Sequence, residues 1–252
     1  MHLDMGTLRD QFMAYMAEDN LVKANEVAEL IVDLTKQSYN KLGSTYQSIR
    51  HEGLSKWKQE LWDRTLSLTH ICTAQIRCLD VGAGFGKDVY YGNKVLGIKT
   101  YGIDNSDSFF NILKTRAKNG DFDESLIYKG DMRNMDCFCN GFFHVVWCNA
   151  SLLHLPLTCP GHMADLAVSE FYRVLQKEGL LFLSLKYGTG LQIIDTGEKL
   201  GGRFYQLYTE DVLKELLGRN HFDICYTERV KRKRLDYYID WINVIARKST
   251  LY

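Results

Sequence analysis

The chain has few features that would divide it into separate parts. Its 252 residues include only two prolines, Pro156 and Pro160, and no proline- or serine-rich linker. Hydrophobic residues make up 46%, which is enough for one sizeable core. Neither an internal repeat nor a low-complexity segment is present. These absences favour one domain with an N-terminal extension over two independent domains.

Targeting and membrane signals are missing as well. Residues 1–10 lack a basic segment followed by an apolar one, so we expect no signal peptide. No apolar run reaches the length that spans a membrane, and we expect no membrane partner. The seven cysteines are an odd number scattered over apolar segments. That pattern indicates reduced thiols in a cytoplasmic protein.

Charge and metal-ligand patterns narrow the function further. Lysine plus arginine and aspartate plus glutamate both number 31, so the net charge is zero. This balance argues against a nucleic-acid footprint over the whole surface, although it allows a local basic patch. Cys137 and Cys139 are separated by a single residue, with no second pair at zinc spacing. We therefore expect no metal site.

Residues 76–88 organise the rest of the chain. Their apolar start predicts a short buried parallel strand that ends at Asp80, and residues 87–96 predict a helix. The turn between them carries three glycines, which are Gly82, Gly84 and Gly86. A strand, a glycine-rich turn and a helix are typical of a nucleotide-binding βαβ unit.

The spacing of this turn distinguishes two cofactor classes. In the dinucleotide fingerprint G-x-G-x-x-G the last glycine would fall on Lys87, so that match fails. The next predicted strand ends in Asp104, 24 residues after Asp80 (104 − 80). A carboxylate at that strand end accepts hydrogen bonds from both hydroxyls of an adenosine ribose. The alternative is a plain turn between two core strands.

The remaining pattern predicts helices first and an alternating sheet afterwards. Helices are expected over residues 7–70, and from residue 76 strands alternate with helices, which indicates a parallel sheet. Further strands are predicted at 125–129, 142–148 and 179–186, with helices beginning at Ser106, His162 and Thr209. Residues 187–207 form a glycine-rich connection. Two strands at 222–230 and 238–246 predict an edge hairpin, with the basic residues 231–234 between them.

Five segments resemble, in order, the motifs of class I S-adenosylmethionine (SAM)-dependent methyltransferases. Residues 79–86 are similar to the SAM loop and residues 101–104 to the ribose-binding strand end. Residues 130–132 resemble the segment that holds the adenine. Residues 143–156, which include N-A-S-L-L-H-L-P, resemble the family's fourth-strand motif. Residues 171–181 resemble its helix-turn-strand motif.

The resemblance covers residues 76–248 and implies the fold. It implies an α/β, Rossmann-like sheet of seven strands that is mostly parallel, with one antiparallel edge strand and helices on both faces. We divide the chain into an N-terminal helical extension or lid, residues 1–70, and a SAM-binding methyltransferase domain, residues 71–252. The extension either covers the mouth of the site or packs against the domain edge. Lys177 and Glu178 depart from the family, which has proline and glycine there.

The resemblance also implies how the adenosine part of SAM is held. Asp104, followed by Asn105, would hold the ribose. Asp131 would bind the adenine amino group, and Met132 would lie beside the ring. The alternatives are a turn cap for Asp131 and a core position for Met132.

The methionine part of SAM would lie along the loop glycines. Asp80 would either orient this loop or meet the SAM ammonium group. The backbone of Cys148 and Asn149 would lie near the same end. No metal is implied.

The candidate catalytic base is His154, just beyond the fourth predicted strand, where open α/β sheets place their ligands. A base is needed only if the acceptor must lose a proton. The alternative is a histidine hydrogen-bonded within a helical turn. Six residues are candidates for the acceptor pocket, and these are Tyr39, Tyr46, Lys186, Arg203, Tyr205 and Tyr208.

The expected activity is methyl transfer from SAM to an oxygen or nitrogen atom of a small molecule by in-line displacement. Residues 149–152 lack the Asn/Asp-Pro-Pro-Tyr of adenine and cytosine N-methyltransferases, which argues against DNA base methylation. Two alternatives stay open. Residues 203–208 loosely resemble a loop of tRNA wobble-uridine methyltransferases, and the basic run beside them would bind RNA phosphates. The other alternative is a non-catalytic SAM-binding protein. The sequence does not predict the oligomeric state.

Overall fold

A computed structural model describes residues 4–46, 53–195, 202–234 and 237–250 of the chain. Its helices are α1 (Met5–Ala17), α2 (Leu21–Tyr46), α3 (Lys56–Ser67), α4 (Lys87–Tyr90), α5 (Asp107–Lys118), α6 (Met163–Val174) and α7 (Glu210–Arg219). Its strands are β1 (Arg77–Val81), β2 (Lys99–Asp104), β3 (Ile127–Lys129), β4 (Phe143–Asn149), β5 (Leu175–Lys186), β6 (Leu191–Asp195), β7 (Gly202–Gln206), β8 (Phe222–Arg234) and β9 (Tyr237–Lys248).

Seven of these strands form the main sheet, in the order β3-β2-β1-β4-β5-β9-β8. Strands β1 to β5 are parallel. Strand β9 runs antiparallel to both β5 and β8, which form its two neighbours at that edge of the sheet. The predicted Rossmann-like fold is therefore confirmed.

The central strands bury both faces, as parallel strands between helices do. Along β4, Val145 and Trp147 face one core, and Val146 and Cys148 face the other. Trp147 stacks between Phe182 of β5, at 3.7 Å between ring centroids, and Trp62 of α3, at 4.0 Å. Helix α3 is thus part of the packing of the sheet.

Helix α2 lies elsewhere, over the carboxyl ends of the parallel strands, and α1 packs against α2 and against β6 and β7. Gly43 of α2 passes so close to α5 that a Cβ atom on it would lie 2.3 Å from the Cβ of Ser108. The Ser106 hydroxyl donates to Oδ1 of Asn40 at 2.8 Å, and the Ser38 hydroxyl donates to the carbonyl of Gly202 at 2.7 Å. Helix α2 therefore makes hydrogen bonds both to the segment after β2 and to the start of β7. The division at residue 70 stays a prediction.

Two local predictions are wrong. The segment 187–207 contains a second small sheet, in which β6 and β7 pair antiparallel. The basic residues 231–234 continue β8 instead of forming a turn, because they pair with β9 as far as Tyr237. The strand accommodates Arg232 by placing its guanidinium 3.5 Å from the centroid of the Trp57 ring and within 3.0 Å of Oδ1 of Asn243.

The helix predicted over residues 87–96 forms with a change of geometry. It begins as α4 and continues as a π-helix over Tyr91–Leu96. Asn93 fills this wider turn, because its amide donates to the carbonyls of Val89 and Thr100, both at 2.8 Å. Within the ranges that the structure describes, no helix combines the length and apolar character needed to cross a bilayer.

Candidate functional site

One cavity of about 390 Å³ lies at the carboxyl ends of the parallel strands, beneath α2. This edge is where open α/β sheets bind ligands. The predicted site residues that line it are Tyr39, Gly82, Gly84, Asp104, Asn105, Asp131, Met132, His154, Lys186, Arg203 and Tyr205. The sequence reasoning missed further lining residues, including Thr35, Lys36, Phe85, Ser106, Phe109, Ser151 and Trp241.

The carboxylate end of the cavity is the part near Asp104 and Asp131. Asp104 ends β2, and its carboxylate accepts hydrogen bonds from the backbone N–H groups of Gly84 and Ser106, both at 2.8 Å. Burial raises the pKa of this carboxyl to about 6, although the two hydrogen bonds oppose the shift. The carboxylate and the glycine loop are thereby fixed against each other.

The loop needs glycine at position 82. Gly82 has φ of +71°, and a Cβ atom there would lie 2.4 Å from the Cβ of Ser151, which follows β4. A side chain would therefore separate the ends of β1 and β4. Next to it, Gly84 leaves bare backbone facing the cavity.

Asp131 and Met132 follow β3 and complete this end. Burial alone would raise the pKa of Asp131, but hydrogen bonds and charge from Arg133 outweigh burial and lower it. Arg133 Nη2 lies 2.8 Å from the Asp131 carboxylate, and its Nη1 lies 2.8 Å from Glu29 of α2. Arg133 therefore keeps Asp131 ionised and links it to Glu29 on helix α2.

Four predicted cofactor residues do not line the cavity. Asp80 is buried, Gly86 packs toward Leu113 of α5, and Cys148 and Asn149 lie behind Ala150 and Ser151, which take the wall position instead. Burial, followed by the nearby Asp88 carboxylate, raises the pKa of Asp80 well above its usual range. Burial also raises the pKa of the Cys148 thiol to about 11. Their predicted roles in SAM binding stay predictions.

The basic end of the cavity is the part near Lys186 and Arg203. His154 lies here, in a 3-10 helix over Leu152–His154 that follows β4. Its Nδ1 is 2.8 Å from the carbonyl oxygen of Phe204, and its Nε2 is 2.7 Å from the Tyr39 hydroxyl. A carbonyl can only accept, so Nδ1 carries the proton and Nε2 accepts from Tyr39.

Burial lowers the pKa of His154 to about 4, and the charges of Arg203 and Lys186 act in the same direction. Burial raises the pKa of the Tyr39 hydroxyl well above its ordinary value. At neutral pH the imidazole is therefore neutral and the phenol protonated. A proton from a third group can pass through Tyr39 to Nε2 of His154, and the lowered pKa makes this imidazole a weak base at neutral pH.

Lys186 ends β5, and Arg203 and Tyr205 project from β7. Lys186 Nζ lies 3.7 Å from the centroid of the Tyr205 ring and donates to Oε1 of Gln192 at 2.9 Å. Two candidates remain. Tyr208 is fully buried away from the cavity, and the side chain of Tyr46 lies outside the described part of the structure.

The carboxylate end fits SAM. A buried carboxylate at a strand end suits the ribose hydroxyls, and the loop exposes backbone where a Cβ atom would intrude. Across the described ranges, no three His, Cys, Asp or Glu side chains cluster closely enough to hold a metal ion. Of the missed residues, Ser151 directly follows the fourth-strand motif, whereas Trp241 reaches the wall only because β9 pairs it with Lys186.

Comparison with known proteins agrees with this geometry. Residues 79–183 match the family described as methyltransferase domain. No curated protein sequence matches the chain. The structure is similar to a SAM-dependent methyltransferase from Methanosarcina mazei, with a TM-score of 0.61 and 18% identity over 79% of this chain and 99% of that one.

Two further solved structures share the fold. The 1,6-didemethyltoxoflavin-N1-methyltransferase of Burkholderia thailandensis has a TM-score of 0.54 and 20% identity, over 83% of this chain and 88% of that one. Phosphoethanolamine N-methyltransferase 2 of Haemonchus contortus has a TM-score of 0.55 and 16% identity, over 77% of this chain and 53% of that one. At these identities the likeness shows the fold alone.

Proposed function

We propose that the chain is a class I SAM-dependent methyltransferase that methylates an oxygen or nitrogen atom of a small molecule, and the match of residues 79–183 to the methyltransferase domain family supports this. One observation carries the proposal. The neutral His154–Tyr39 pair lies in the same covered cavity as the carboxylate end, with its two rings 5.1 Å apart between centroids. The cavity thus combines a cofactor site with a proton acceptor.

In this proposal SAM occupies the carboxylate end, with its ribose on Asp104 and its adenine beside Asp131 and Met132. SAM supplies an electrophilic methyl group on a sulfonium. The protein then has to align the acceptor and exclude water, which helices and loops around the cavity do by enclosing it. When the acceptor is a hydroxyl or a protonated amine, Tyr39 takes its proton and passes its own to Nε2 of His154.

Two of the similar structures belong to enzymes whose names specify small acceptors. Their names state methylation of a nitrogen in 1,6-didemethyltoxoflavin and in phosphoethanolamine. An RNA acceptor fits less well, because Arg203 and Tyr205, which suggested it, are buried on β7 with α2 packed beside them. A nucleotide base of an RNA would have to pass helix α2 to reach the cavity. The catalytic pair likewise favours an enzyme over a protein that only binds SAM.

The proposal is tested by incubating the purified protein with methyl-labelled SAM and host extract. The products are separated by size before and after nuclease digestion. We expect label in a nuclease-resistant, low-mass fraction. Label that nuclease converts from large to small would instead identify RNA as the acceptor, and absence of label with intact SAM binding would favour the non-catalytic alternative.

A further inference from the structure

Asn40 of helix α2 directly follows Tyr39 but is not among the residues that line the cavity. Its side chain is directed to the start of α5. There its Oδ1 accepts from the Ser106 hydroxyl at 2.8 Å, and its amide nitrogen lies 3.5 Å from Oδ2 of Asp107. Tyr39, by contrast, hydrogen-bonds His154 in the cavity wall. Two successive residues of α2 therefore contact two different parts of the site.

Ser106 links Asn40 to the Asp104 carboxylate. Its backbone N–H donates to Oδ1 of Asp104 at 2.8 Å, and its hydroxyl caps α5 by accepting from the backbone N–H of Phe109 at 3.3 Å. A hydroxyl has a single proton, and Ser106 donates it to Asn40, which leaves a lone pair for Phe109. Asn40 therefore orients the same turn that holds the carboxylate.

Helices α2 and α5 are also in direct contact on both sides of this hydrogen bond. The rings of Tyr39 and Phe109 lie 5.6 Å apart between centroids. Three residues beyond Asn40, the backbone at Gly43 is so near Ser108 that a Cβ atom would not fit. Close-packed elements transmit displacements because they leave no space to absorb them. A change at the Ser106 turn therefore reaches Tyr39.

We propose that Asn40 is a positioning residue that couples SAM binding at Asp104 to the placement of Tyr39. This inference rests on the proposed function and adds a residue to it. Ribose hydroxyls that donate to Asp104 restrict the motion of this carboxylate and of the Ser106 turn. Asn40 passes this restriction to α2, so that the hydrogen bond between Tyr39 and His154 is held more firmly once the cofactor is bound. Restricting the motion of one site can stabilise a second site without new contacts between them.

The coupling is measured by hydrogen–deuterium exchange of the backbone, with and without saturating S-adenosylhomocysteine. Calorimetry first establishes the saturating concentration. In the unmodified protein we expect the ligand to slow exchange about fivefold or more at residues 104–110 and also at residues 37–43. The first segment reports binding at Asp104, and the second reports its effect on α2.

Asn40→Ala removes the hydrogen bonds of this side chain and keeps a strong helix former. It should weaken S-adenosylhomocysteine about three- to tenfold, which corresponds to one neutral hydrogen bond. At saturation the slowing at 104–110 should persist, whereas the slowing at 37–43 should fall below twofold. Asn111→Ala, at an exposed position on α5, is the matched control and should leave both segments as in the unmodified protein.

Two further variants test whether the hydrogen bond itself carries the coupling. Asn40→Asp keeps an oxygen that accepts from the Ser106 hydroxyl, and it should retain most of the slowing at 37–43. It also serves if Asn40→Ala does not fold. Ser106→Ala removes the hydroxyl but keeps the backbone N–H that Asp104 accepts from. It should lose the slowing at 37–43 as Asn40→Ala does, although Asn40 is present.

Slowing at 37–43 that persists in Asn40→Ala overturns the inference, because α2 would then respond to the ligand through direct contact. Unchanged exchange at 37–43 in the saturated, unmodified protein overturns it as well. In both cases S-adenosylhomocysteine is bound, so the methyltransferase proposal is unaffected. A protein that does not bind S-adenosylhomocysteine counts against that proposal, and the coupling falls with it.

Discussion

The carboxylate end and the basic end of one cavity are assembled differently. The carboxylate end uses segments that directly follow β1, β2 and β3, which are adjacent in the sheet. The basic end combines α2, the turn after β4, the end of β5 and strand β7, which are far apart in sequence. The order of the strands alone forms the carboxylate end. The basic end also depends on the helix and the small sheet that pack over the main sheet. Variants at the two ends should therefore separate cofactor binding from turnover.

The largest effect is expected for Asp104→Asn. It should weaken SAM binding by about 10² to 10⁴-fold, because two charge-assisted hydrogen bonds to the ribose are worth about 3–6 kcal/mol. Isothermal calorimetry measures the affinity, and circular dichroism checks the fold. Asp63→Asn, an exposed position on α3, is the matched control. Unchanged affinity in Asp104→Asn would remove this residue from the cofactor site.

The corresponding variant at the basic end is Tyr39→Phe. For an acceptor that loses a proton, kcat should fall about 10²-fold, since the path to His154 is interrupted, while SAM affinity stays unchanged. Tyr238→Phe, at an exposed position, is the control. His154→Gln should lower kcat by a similar factor. The double variant should be no slower than either single variant. Additive losses would show that the residues act separately.

A pH series distinguishes the two ends in the unmodified protein. Asp104 has a pKa of about 6, so its carboxyl is ionised above that pH and neutral below it. SAM affinity should be constant from pH 7 to 8 and fall about tenfold per pH unit below about 6. Asp104→Asn should remove this dependence. A wild-type affinity that is flat down to pH 5 would contradict the assignment.

A smaller effect is expected where α2 crosses α5. Gly43→Ala places a Cβ atom against Ser108 and should destabilise the protein by about 1–3 kcal/mol. The melting temperature should therefore fall by several degrees, and the acceptor KM should rise as Tyr39 shifts. Gly218→Ala, in helix α7 with open space around it, should instead leave the melting temperature unchanged or raise it slightly.

The smallest effect is expected on the edge strand. Lys231→Gln with Lys233→Gln should change methyl transfer to small molecules less than twofold, because both side chains are exposed on β8. The comparison is made at two salt concentrations. A large loss of activity that also depends steeply on salt would support the RNA alternative, since phosphate contacts release counterions.

Most of the carboxylate end could be predicted because its signals are local. A strand, a glycine turn and a helix need only neighbouring residues, and the acid that ends the next strand follows at a regular spacing. Asp80 and Gly86 share those signals but do not line the cavity. Strand alternation turns the Asp80 side chain to the face of the sheet that carries Asp88 and Lys58, and Gly86 is used for close packing against Leu113. The spacing marks the turn without stating which side chains face the ligand.

The sequence by itself determined the alternating sheet, the glycine loop and the carboxylate at the end of β2, since each depends on periodicity and short spacing. Only the tertiary structure decided the basic end. Tyr39 and His154 are 115 positions apart, and their contact exists because α2 folds back over the sheet. Arg203 and Tyr205 face the cavity because residues 202–206 form a strand where glycine content predicts a loop. Long-range packing leaves no periodic pattern, so such contacts appear only in the folded chain.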